Sequence, residues 1–168
     1  NSLVDMYAVG QSGVVLHRTA SGWSTQVIGT AANLHGVWGA GSFEVLVVGD
    51  AGTIVRQQSG IWNPEASGVT VQLNDVWTLD SQNAWAVGAQ GTIIRNAGAG
   101  LGWTGDTSGI ANDLVAVHGS SADNVWSVGL QGKILKYDGA SWADVSSPVT
   151  LDWADVWAGE VNKTVVVG

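Results

Sequence analysis

Apolar residues along this chain fall in short runs, among them Tyr7-Ala8-Val9, Val45-Leu46-Val47-Val48, Ala84-Trp85-Ala86-Val87, Val125-Trp126 and Val165-Val166-Val167. The runs are rich in β-branched and aromatic residues and bounded by Gly, Asn, Asp or Ser, and none has the i, i+3, i+4 recurrence of an amphipathic helix. The pattern predicts short β-strands throughout.

The runs also recur with a period. A Val-Gly doublet stands at Val9-Gly10, Val48-Gly49, Val87-Gly88, Val128-Gly129 and Val167-Gly168, with Gly-to-Gly steps of 39, 39, 41 and 39 residues. Alignment on the doublet gives four segments per repeat. The first closes on Trp38, Trp77, His118 or Trp157, the second on the doublet, the third on His17, Arg56, Arg95 or Lys136, and the fourth opens on Trp23, Trp62, Trp103 or Trp142. Between the second and third lies Gly-x-x-Gly, as in Gly49-Asp50-Ala51-Gly52, which is expected to supply the positive-φ positions of a tight hairpin.

Four antiparallel strands in about 40 residues is the unit of a propeller blade. The expected fold is all-β: a β-propeller of four-stranded antiparallel blades, about four in this chain, forming one domain over 1–168. Its units run over about 34–72, 73–113 and 114–150, with about 1–33 and 151–168 making a split blade. The fifth doublet leaves one strand more than four blades need. The ring therefore either closes within the chain with a spare edge strand, or is completed by homo-oligomerisation through that edge or as part of a larger ring.

Composition narrows the function classes. The 168 residues are 45% hydrophobic and 12% charged, enough to bury a core. A net charge of −8 with six Lys and Arg argues against nucleic acid and against an anionic membrane. The absence of cysteine excludes disulfides and thiolate metal sites. No apolar run is long enough for a spanning helix and no targeting signal is visible, while an extracellular or periplasmic location is expected.

The repeat resembles the bacterial propeller repeats written V-W-A-V-G-x-x-G-T-I-L-R…G-x-x-W, on residues Trp85 to Arg95 and Val125 to Lys136. That group is related to the photosystem II assembly-factor propellers of plants and cyanobacteria and, more distantly, to the Asp-box (BNR) repeats of sialidases. Asp138-Gly139-Ala140-Ser141-Trp142 approximates an Asp-box one residue short. The resemblance implies a propeller, and its assembly-factor branch implies a protein-interaction role.

Strand direction gathers the candidate ligand-binding residues near one face of the disc. They are Trp38, Trp77, His118 and Trp157 from the first strands, Tyr7, Trp85 and Trp126 from the second, and Arg56, Arg95 and Lys136 from the third. An indole stacks on the apolar face of a sugar while polar neighbours bond its hydroxyls, so the first expectation is a non-catalytic, lectin-like propeller with sites repeated on one face. A plainer role for each Trp is packing between blades, with the basic residue stacked on its ring. The alternative expectation is a protein-interaction or assembly scaffold, favoured by asymmetry between blades. His118 and Leu46, standing where other blades carry Trp, are the visible breaks.

Glu44, Asp80, Asp123 and Glu160 in same-face loops, with Asp106 and Asp138 in others, could ligate calcium, but ordinary turn chemistry explains them and no metal is expected. His17, His35 and His118 occupy different repeat positions and make no zinc pair. Arg18, Arg56 and Arg95 lack the register and the Tyr/Glu nucleophile pair of a sialidase, the remote third reading. No nucleophile elbow, P-loop or zincin motif occurs, so no catalytic residue and no cofactor is expected.

Overall fold

The computed structural model describes residues 5–40, 44–98, 102–159 and 163–168. The chain forms five antiparallel sheets in sequence order. The first contains β1 (Met6–Val9), β2 (Val15–Thr19) and β3 (Gly22–Gln26). Three complete four-stranded sheets follow: β4 (Leu34–Gly39), β5 (Glu44–Gly49), β6 (Ile54–Gln58) and β7 (Ile61–Glu65); β8 (Leu73–Asp80), β9 (Asn83–Gly88), β10 (Ile93–Asn96) and β11 (Trp103–Asp106); then β12 (Leu114–Ser121), β13 (Asn124–Gly129), β14 (Ile134–Tyr137) and β15 (Trp142–Asp144). The last sheet pairs β16 (Asp155–Ala158) with β17 (Thr164–Val167).

Each complete sheet is a meander whose strands neighbour one another in chain order, and the sheets pack face to face with the first strand of each against the first strand of the next: β4 on β8, β8 on β12 and β12 on β16. This is a β-propeller of about four blades, as the repeat predicts. Among the described residues β1 pairs only with β2, and β17 only with β16. Both carry the Val-Gly doublet of a second strand, so they cannot share one place in a single four-stranded blade.

The core lies in the seams between blades. Because side chains alternate across a strand, each strand feeds two seams. In β9, Ala84 and Ala86 pack with Leu46, Val48, Ile54, Ile94 and Trp103 on one side. Trp85 and Val87 pack with Trp77, Leu114, Val125, Leu135 and Tyr137 on the other. β5 does the same, sending Val47 to the seam with β2 and Leu46 and Val48 to the seam with β8. This is why the second strands read as continuous apolar runs: both faces are covered.

The hairpin between second and third strands departs from expectation in one respect. Its first glycine is extended, with φ of −169° at Gly88, and the left-handed positions are the second glycine and the residue before it, Gly91 at +68° and Gln90 at +58°. The first glycine is required by close approach instead: a Cβ on Gly88 would lie 2.0 Å from the Gln72 carbonyl oxygen. That crowding follows from the hydrogen bond by which Ala89 N–H reaches the same carbonyl at 3.0 Å, fastening the hairpin to the loop entering the first strand of its own blade.

Gly88→Ala is therefore expected to cost about 3 kcal/mol or more, as an overlap in packed backbone. Gly60→Ala, with φ of +83° and nothing near its Cβ, should cost only about 1 kcal/mol from left-handed strain. Urea unfolding of the two variants measures both, and equal costs would contradict the steric account.

Candidate functional site

The candidate residues of the sequence stand in transverse rows, one per blade. Trp38 pairs with Leu46, and Leu46 with Arg56; Trp77 pairs with Trp85, and Trp85 with Arg95; His118 pairs with Trp126, and Trp126 with Lys136. Trp157 pairs with Val165, and Tyr7 with His17. Residues paired across neighbouring strands point to the same side of a sheet, so each row faces one seam.

Most rows are closed by the blade that follows. The Tyr7 row, whose phenol stacks on His17 at 4.3 Å, meets Trp62 edge-on at 6.1 Å. Trp103 covers the Leu46 row and donates Nε1–H to Glu65 Oε2 at 2.7 Å. The Trp77 and Trp85 rings stack at 5.4 Å, with Tyr137 and then Trp142 beyond them, and Trp142 donates to Asp106 Oδ2 at 3.2 Å. An outer indole donating to a carboxylate of the preceding blade is thus a repeated latch.

The burial of the ten candidates follows from this arrangement. Trp77, Trp85 and Arg56 are interior. Arg56 is held by Glu44 on one side and by Glu65 on the other, through Nε to Oε1 at 2.6 Å. Arg95, in the same column, has no carboxylate partner among the described residues; its guanidinium lies 5.0 Å over Trp85 and donates to the Tyr137 hydroxyl at 2.8 Å. Tyr7, Trp38, Trp126, His118, Lys136 and Arg95 are half-buried, with Lys136 5.3 Å from the Trp126 ring, and Trp157 is 53% exposed.

The first-strand members of the rows meet at the centre. The Trp38 and His118 rings contact at 5.1 Å, although β8 lies between their strands in the order of blades, and Trp77 and Trp157 lie 5.8 and 6.3 Å from the His118 ring. Trp38 donates Nε1–H to the Thr78 carbonyl at 3.1 Å, and His118 Nδ1 accepts the Ala158 N–H at 3.1 Å, leaving any proton of the neutral ring on Nε2. Burial holds the His118 pKa below its ordinary value.

The Trp38, His118 and Trp157 rings border a cavity of about 320 Å³ that, among the described residues, is lined by first strands alone: Val37 and Trp38 of β4, Asp75 of β8, Val117 and His118 of β12, and Asp155, Val156 and Trp157 of β16. Asp75 Oδ1 accepts the Val76 N–H at 2.8 Å and Oδ2 accepts the Val117 N–H of the next blade at 2.9 Å. Burial pushes its carboxyl up to about 6 against the opposing pull of those two donors, and the Asp155 charge adds to the rise. Asp75 and Asp155 share a repeat column with Gly36 and Ala116. That alternation of acidic and small residues in otherwise regular strands was the signal available in the sequence for this cavity.

The acidic loop residues serve local structure. Asp80 Oδ1 accepts the Gln82 N–H at 2.8 Å, and Asp138 Oδ1 accepts the Ala140 and Ser141 N–H groups at 2.9 Å. Asp123 bonds the Ser121 hydroxyl. Glu160 lies outside the described residues. His17 bonds Asp5, and His35 bonds Asp50, each far along the chain from His118. Among the described residues no group of three His, Asp or Glu side chains is placed to hold a metal, and no helix is long and apolar enough to cross a membrane.

The raised Asp75 pKa has a definite sign. The folded state keeps the proton up to about pH 6, whereas the unfolded carboxyl loses it near its ordinary value. Unfolding free energy contributed by this group is therefore greatest in acid and falls as pH rises through that window, by on the order of 2–3 kcal/mol. Asp75→Asn removes the titration. The stability difference between wild type and variant, from urea unfolding at about pH 3.5 and about pH 7, should shift against wild type at the higher pH; a constant difference would refute the assignment.

No protein-family model and no curated protein matches the sequence, so the resemblance of the repeat rests on the residues themselves. Solved structures do match. YCF48 bound to D1 peptide superposes with a TM-score of 0.65 over 90% of this chain and 53% of that one, at 13% identity. YCF48 from Cyanidioschyzon merolae superposes with a TM-score of 0.73 over 96% of this chain and 60% of that one, at 14% identity. At such identities the likeness is one of fold, and the chain spans little more than half the length of these proteins.

Proposed function

We propose that this chain belongs to a non-catalytic protein-interaction propeller whose partner presents a peptide segment at the central cavity. The observation that carries the reading is the superposition of 90% of the chain on YCF48 bound to D1 peptide. The asymmetry of the cavity supports it as well. Four first strands contribute there, and they do so unequally: Val37 and Trp38 from β4, Asp75 from β8, Val117 and His118 from β12, and Asp155, Val156 and Trp157 from β16. A site that differs at each blade suits one partner in one orientation, whereas a repeated ligand calls for equivalent sites.

Carbohydrate recognition by equivalent indoles has less support. Trp77 and Trp85 are sealed in a seam, and the Trp38 N–H is committed to the Thr78 carbonyl. Catalysis would need an asymmetric reacting constellation, but the row arginines Arg56 and Arg95 are engaged in inter-strand and inter-blade bonds.

Selection of a random peptide library on the immobilised chain, followed by fluorescence anisotropy of the selected peptides, tests the reading against a glycan array run in parallel. Saturable peptide binding, weakened about tenfold by Trp157→Ala as for a truncated aromatic anchor, is the expected result. Glycan hits with no saturable peptide would overturn it.

A further inference from the structure

The central cavity carries an electrostatic imbalance that the packing leaves unanswered. Two carboxylates, Asp75 and Asp155, face it, and the imidazole beside them is held towards its neutral form by burial. Among the described residues that line it there is no Lys or Arg. Four of the six basic side chains are engaged elsewhere: Arg56 with Glu44 and Glu65, Lys133 with Asp144 at 2.8 Å, Arg95 over Trp85, and Lys136 over Trp126. The two carboxylates also act on each other, since the Asp155 charge helps to raise the Asp75 pKa. Like charges held together at a partly buried place are relieved by a cation between them.

The remaining bonding capacity is of the right kind. A carboxylate offers about four lone-pair sites. The backbone takes two from Asp75, through Val76 and Val117, and one from Asp155, through Val156 at 2.8 Å. The walls are aromatic, Trp38 and Trp157 with His118 between them. Ring faces attract an alkylammonium or guanidinium group, and the methylene stem of such a side chain gains from apolar burial. A cavity of about 320 Å³ is at the small end of the range for ligand pockets, suited to one side chain rather than to a folded surface.

We propose that the central cavity takes a basic side chain, lysine or arginine, from the partner segment, with Asp155 and Asp75 as counter-charges and the Trp157 and Trp38 indoles as its walls. This rests on the protein-partner reading, but the cavity chemistry can be tested apart from it. The probes are Nα-acetyl-lysine methylamide, Nα-acetyl-arginine methylamide and the neutral norleucine analogue, each titrated into the ¹⁵N-labelled chain while the indole Nε1–H signals are followed.

Saturating shifts confined to the Trp38 and Trp157 signals are expected with the two cationic probes and not with norleucine. Asp155→Asn should weaken that binding about fivefold or more, as loss of a charge-assisted partner, with the Trp85 and Trp103 signals unmoved as evidence of intact seams. Equal response to norleucine, shifts only at other indoles, or no effect of Asp155→Asn would overturn the proposal. Selected peptides that bind without any basic residue would overturn it too, while leaving the peptide reading in place. Cation binding in the cavity with no selectable peptide would uphold the cavity chemistry and remove the peptide reading.

Discussion

The structure depends on one constraint: a blade cannot bury either of its faces by itself. A four-stranded sheet of three- to eight-residue strands has two apolar sides and no interior, so burial is obtained only from the blade before and the blade after. The seams follow from this. Strand alternation divides each second strand between two of them, and side-chain sizes are balanced seam by seam. Ala84 and Ala86 leave room where Trp103 enters, and Trp85 fills the other side, where Gly119 leaves space for the Trp77 ring. The polar latches belong to the same system, for Glu65 and Asp106 each accept the indole N–H of the following blade.

Much of this was legible in the sequence, since both the period and the alternation are local properties of the chain. The strands, the hairpins and the transverse rows lie where the Val-Gly alignment puts them. What the alignment could not supply is which side of a blade a row faces and what closes it. Trp85 and Trp126 occupy one column, yet Trp85 is sealed beneath Tyr137 while Trp126 is half-buried, because the neighbours across the seam differ. The first glycine of the hairpin departs from the expected positive φ for a related reason. Its φ is ordinary, and the need for glycine comes from the Gln72 carbonyl, a contact between segments distant in sequence.

Repeat-equivalent residues also diverge in electrostatics. Arg56 and Arg95 occupy the same place in adjacent blades, but the first sits between two carboxylates and the second over two aromatic faces. Both arrangements compensate a partly desolvated guanidinium, one by charge and one by ring quadrupole and a hydroxyl. Asp75 is the opposite case. In its column Gly36 and Ala116 need no compensation, so an acid there is compensated only by backbone N–H groups, and its proton affinity rises. The chain has thus set Arg56 and Arg95 in the seams and left two of its acidic side chains at the centre.

The contact between Trp38 and His118 has a consequence for how the molecule comes apart. Seams join nearest neighbours only, and an array built that way can lose an end unit while the rest stands. An edge-to-face aromatic contact across β8 joins blades that are not adjacent. It ties the second sheet to the fourth as well as to the third, so that opening either seam between them also breaks an aromatic contact at the centre.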